Sequence, residues 1–216
     1  MSGLGNEIRK RLGLEPQIRI HIKNKVPIVK PEPTPLTVRA ISAESTPGYF
    51  KQEGDVTMCV SFAVCNALLM QLRKNNFEGL LPFVPKELFR TIQNVDGAID
   101  SSTGMLTQLG VVNLFAAAQR MLNISNTPVD IEGCKDFDVL FKGLCDGKSA
   151  VIFYEEKAHE LAILSYDKQS DNLVVFDSLG DGLTKTYRFH SFKNKIEWGA
   201  VGTANRLISF RQRQAK

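Results

Sequence analysis

The sequence predicts an α+β domain, helices first and an antiparallel sheet after them, behind a proline-rich basic arm. Three observations carry this prediction. Apolar residues recur at three- and four-residue spacing from residue 59 onward, the period of a helix. From residue 151 the pattern changes to short runs rich in β-branched and aromatic residues, separated by Asp and Gly turns. Six of the nine prolines fall in residues 1–48, where they interrupt any helix or central strand.

The arm comes first. Its stretch VPIVKPEPTPL is extended with polyproline character. QIRIHIKNKV alternates apolar with polar residues, which allows one edge strand there. Residues 1–45 hold eight basic and four acidic side chains, a net +4 that equals the charge of the whole chain. A basic arm on a near-neutral domain reads as a tether, or as a contact for an acidic surface such as nucleic acid. The expected division is therefore 1–45 as arm and 46–216 as domain, with the compact part starting near Tyr49.

The domain opens on the clearest helix, residues 59–74 (CVSFAVCNALLMQLRK). It has no internal Gly or Pro, and Arg73 and Lys74 sit at its negative end. Residues 85–94 start with Pro at a first-turn position and read as a second helix. Residues 105–122 read as a third, and 137–145 as a short fourth. Strands follow at VIFY (151–154), ELAILSY (160–166), NLVVFDS (172–178), KTYRFHSF (185–192) and RLISF (206–210). Helices before strands with short connections argue for an antiparallel sheet.

Composition narrows the class. Hydrophobic residues at 43% and charged residues at 23% are ordinary for a globular protein. No apolar run reaches the ~18–20 residues that span a bilayer, and the first residues lack the apolar stretch of a secretory signal. Four cysteines without close pairing do not form a disulfide framework, so a reducing, cytoplasmic setting with free thiols is expected. Without a CxxC pair or a Cys/His cluster, neither a metal nor another cofactor is expected.

Four residues stand out for chemistry. Cys59 sits where a loop becomes the long helix; unpaired N–H groups and the positive dipole end there favour a thiolate. His159 opens a strand, a rigid mount for a general base. It is one of three histidines; His21 lies in the arm, and His190 in the alternating strand YRFHSF reads as structural. Asp177 ends the next strand, and two adjacent antiparallel strands bring their distant ends together. Its carboxylate is then placed to accept the imidazole N–H and fix the tautomer. Gln52, seven residues before Cys59, is a candidate donor to an oxyanion, with the Cys59 N–H as the second.

Gln, then Cys at a helix start, then His on a strand, then Asp after the following strand, resembles the order of the papain-like cysteine proteases. CVSFAVCNAL resembles their CWAFSAxxAL helix, HELAILSY their HAVxxVGY strand, and FDSLGDG stands in place of KNSWG. KQEG before the Cys, NALL after it and VPKELFRTIQ also resemble the Josephin deubiquitinases. Departures are the longer Gln-to-Cys spacing, Met58 and Val60 around the nucleophile, Glu160 where Josephins carry Trp, and Asp in place of Asn. The resemblance implies a papain-like fold and peptide or isopeptide hydrolysis by Cys59, His159 and Asp177 with Gln52 at the oxyanion. It needs no cofactor, and it implies a polypeptide substrate with ubiquitin-like proteins as one candidate. Two other functions fit the same residues: a non-enzymatic module that binds RNA, membrane or a protein through the arm, and a thiol acyltransferase of the transglutaminase kind.

Overall fold

A computed structural model of the chain describes residues 41–42, 49–52, 56–77, 80–154, 159–179, 184–196 and 204–211. The chain divides into two compact units, Met1–Thr37 and Val38–Lys216. The first, with the strand expected in QIRIHIKNKV, lies outside the described residues. Within the second, β1 (Ile41–Ser42) pairs antiparallel with β2 (Leu80–Leu81), so this short strand lies inside the stretch expected to be arm.

Helix α1 (Cys59–Lys74) has the bounds the sequence predicts. Val60, Phe62, Val64, Leu68, Leu69 and Leu72 are all buried, so apolar residues surround its axis rather than line one stripe. A helix of that kind belongs in the centre of a domain. Its buried polar residues are each used. Ser61 Oγ bonds back to Met58 O at 2.8 Å, and Gln71 Oε1 accepts the Ser149 N–H at 2.8 Å, tying helix to sheet.

Helix α2 (Pro85–Arg90) is shorter than expected, because Thr91 folds its hydroxyl back onto Leu88 O and turns follow. Helix α3 (Gln108–Ile124) starts three residues late. The Thr107 hydroxyl caps it by accepting the Gly110 N–H at 3.1 Å, and Leu106 is held outside by a bridge to Ile99. Gly110 is required here by close approach. A Cβ on it would stand 2.0 Å from the Ala98 carbonyl oxygen, and backbone cannot swing aside. Gly110→Ala is expected to cost about 2 kcal/mol or more, read as a fall of several degrees in Tm. Helix α4 (Phe137–Cys145) matches its predicted bounds and is capped by Asp136, whose carboxylate accepts the Val139 N–H.

The strands β4 (Ser149–Tyr154), β5 (His159–Asp167), β6 (Asn172–Phe176), β7 (Thr184–Arg188) and β8 (Arg206–Phe210) form at the predicted places. β3 (Val129–Gly133), not anticipated, is an edge strand whose Asp130, Glu132 and Gly133 disguise it in the sequence. The six strands make one antiparallel sheet in the order β3-β8-β4-β5-β6-β7. One face (Val151, Ala162, Leu164, Ile208) packs under α1. The other (Ile152, Leu161, Ile163, Leu173) packs on Leu140 and Leu144 of α4 and on Phe189 and Phe192.

The run expected as strand 185–192 divides. Asn172, the first residue of β6, pairs with Arg188, so the strand has no partner beyond that point. Phe189–Phe192 turns into a short helix, α5, that buries both phenylalanines. His190 is thus not in a strand. It is exposed, and its Nδ1 lies 2.7 Å from Asp171 Oδ1.

Candidate active site

The sheet register assembles the residues singled out in the sequence. His159 opens β5 opposite Tyr154, and Asp177 follows directly on β6, the neighbouring antiparallel strand. His159 Nε2 lies 2.9 Å from Asp177 Oδ1, and both side chains are buried. The same oxygen accepts the Leu179 N–H at 3.1 Å, which fixes the carboxylate. Cys59 is the first residue of α1, half-buried, and the Glu160 main-chain N–H, next to His159, is directed at its thiol.

Gln52 is only 4% exposed, so it is not a surface loop residue. Its N–H donates to Ser178 O at 2.8 Å, and the Ser178 hydroxyl donates to its Oε1 at 3.2 Å. The segment before it is held by Asn66 of α1, whose amide accepts the Phe50 N–H at 2.7 Å and donates to the Phe50 carbonyl at 3.0 Å. Neither Ser178 nor Asn66 was singled out in the sequence. An Asn inside the run FAVCNALLM is the one sequence signal that points to Asn66; Ser178 carries none beyond its place after Asp177.

The thiol's titration differs from expectation. The helix start was expected to lower it, and the N–H groups of Glu160, Val60 and Cys59 do act in that direction. Burial outweighs them and, with the Glu160 charge, pushes Cys59 up to about 11. Glu160 faces inward at 2% exposure, and its Oε2 has no hydrogen-bond partner. Desolvation pushes its carboxyl up to about 8, against the pull of Arg206. At neutral pH it is therefore largely uncharged, which spares Cys59 most of the repulsion. Cys65 is fully buried, which pushes its thiol well up and keeps it from any substrate, so it is no rival nucleophile.

Among the described residues no helix is long and apolar enough to cross a membrane. No protein-family profile and no curated protein matches the chain. Solved structures do. A protein named as a C39-like peptidase from Bacillus anthracis superposes with a TM-score of 0.51 at 15% identity, over 82% of this chain and 98% of that one. The peptidase domain of Streptococcus ComA, described as a bi-functional ABC transporter involved in a quorum-sensing pathway, superposes with a TM-score of 0.45 at 14% identity. That match covers 76% of this chain and 98% of that one. The likeness to the C39-like peptidase is one of fold. With helices leading into an antiparallel sheet, Cys59 at a helix start and His159 opening the sheet's central hairpin, the chain has the papain-like cysteine peptidase fold.

Proposed function

We propose that the chain is a cysteine peptidase in which Cys59 is the nucleophile, His159 the base and Asp177 the residue that orients it. The observation that carries this reading is the His159–Asp177 bond, formed one residue from the Glu160 N–H that meets the Cys59 thiol. Nε2 of His159 donates to Asp177, so Nδ1 is the nitrogen assigned to the thiol. Because burial holds the thiol neutral, its proton moves to Nδ1 as sulfur attacks the substrate carbonyl, rather than in a resting ion pair. The oxyanion is met by the Cys59 N–H and the Gln52 side-chain amide. Collapse expels the amine, which takes the imidazolium proton. Water then attacks the thioester, with His159 again the base, and the acid leaves as the thiol is restored.

Two features support Gln52 in this role. It is buried beside Asp177–Ser178, and the Ser178 hydroxyl on Oε1 turns the amide nitrogen the other way. Ser178→Ala is expected to lower kcat about three- to ten-fold with KM little changed, the loss of one neutral hydrogen bond felt mainly at the oxyanion. Steady-state kinetics on a cleaved peptide check it.

The substrate class is a polypeptide, and ubiquitin-like tails are one member of it. Mass analysis of a peptide mixture tests the reading. New C-terminal acids that vanish with Cys59→Ala support hydrolysis. New amides made with added amines, without acids, support acyl transfer, and no product of either kind favours a binding module.

A further inference from the structure

A cavity of about 270 Å³ is lined, among the described residues, by Met58, the residue before the nucleophile, and by Lys86, Phe89, Arg90 and Gln93. Met58 is bonded to Cys59, which puts the cavity within reach of a side chain about two residues from the bond under attack. Its volume suits one side chain rather than a large ligand.

The lining is strongly sided in charge. Lys86 and Arg90 stand one turn apart on the same face of α2, both exposed. Among the described residues neither has an acidic partner. The acid between them, Glu87, directs a carboxylate oxygen back to the Val84 N–H at 3.3 Å. Two like charges at this spacing destabilise a helix, and α2 offsets that cost with no ion pair of its own. Phe89 is buried and, with Met58, supplies apolar wall for the methylenes of an entering side chain. Gln93 adds an amide.

We propose that this cavity is a specificity pocket that receives an aspartate or glutamate side chain of the substrate, next to the bond attacked by Cys59. The proposal rests on the peptidase reading above and names the substrate feature that reading leaves open. Lys86 and Arg90 supply the attraction, with the Arg90 guanidinium able to grip a carboxylate through two N–H groups. Met58 and Phe89 exclude water from one side of the pair.

Peptidyl vinyl sulfones that differ only in one residue near the electrophile (Glu, Gln, Leu or Lys) test it. Alkylation of Cys59 is followed by mass in the full chain and in the K86E/R90E variant. The Glu probe is expected to label Cys59 about ten-fold or more faster than the Gln probe, and the charge-reversed variant to prefer Lys. Equal rates for Glu and Gln, with Cys59 labelled, would overturn the pocket and leave the peptidase reading standing. Labelling of Cys59 no faster than the exposed Cys145 by every probe would instead overturn the peptidase reading. The pocket is then judged by fluorescence binding of the matching Glu and Gln peptides to Cys59→Ala protein. A preference for Glu that K86E/R90E removes supports it, and equal binding overturns it.

Discussion

Cys59→Ala is expected to abolish peptide hydrolysis while leaving the fold intact. Alanine keeps the first residue of α1 helical, and loss of one half-buried sulfur leaves little cavity. The expected loss in kcat is at least ~10⁴-fold, because no covalent intermediate forms. His159→Ala should cost a comparable amount, and the double variant little more, since base and nucleophile act as one unit. Asp177→Asn should be milder. An amide oxygen in place of Oδ1 still accepts the His159 Nε2–H and the Leu179 N–H. Activity together with circular dichroism checks all four variants. Retention of more than about one per cent of activity in Cys59→Ala, against that ~10⁴-fold loss, would remove Cys59 from the mechanism.

Glu160→Gln is expected to stabilise the protein, and more so as pH rises. In the unfolded chain this carboxyl ionises near its ordinary value of about 4.3. In the fold, desolvation holds it protonated up to about 8. Between those values the folded state binds the extra proton, so wild-type stability falls as pH rises and levels off above 8. Glutamine never ionises and removes this loss. The variant should gain on the order of 3–5 kcal/mol over wild type at pH 8.5 and little at pH 4. Urea unfolding at both pH values measures the gap, and a gap that does not widen with pH would contradict the burial argument. The same change bears on the site. Above pH 8 the Glu160 charge joins burial in holding the Cys59 thiol up, so wild-type activity should decline there more than that of Glu160→Gln.

Much of this arrangement was legible in the sequence. Helix α1 was bounded correctly because its apolar residues run without Gly or Pro and two cations close it. The pairing of His159 with Asp177 followed from two strands joined by a turn, since antiparallel register sets which ends meet. What was hidden lies in tertiary context. β3 is an edge strand with acidic residues, recognisable only by its pairing to β8. The fate of His190 depended on where β6 begins, which local pattern does not encode. The late start of α3 turned on one capping hydroxyl. At the site, the helix start pointed to a lowered Cys59 thiol, but burial acts more strongly, and burial is a property of the packed molecule. Glu160 stood out only as an unexpected charge after His159; its inward orientation makes it part of the nucleophile's electrostatics.

The most direct test of the Cys59–His159 pair is the rate of Cys59 alkylation by a peptidyl electrophile as a function of pH, in wild type and in His159→Ala. With the base in place, the proton leaves as sulfur attacks, so wild type should react at pH 7 about 100-fold or more faster than the variant. In His159→Ala the thiol has only its own ionisation, held up to about 11, so its rate should climb steeply into the alkaline range. Superimposable pH profiles for the two proteins would contradict the account, because His159 would then take no part in activating Cys59.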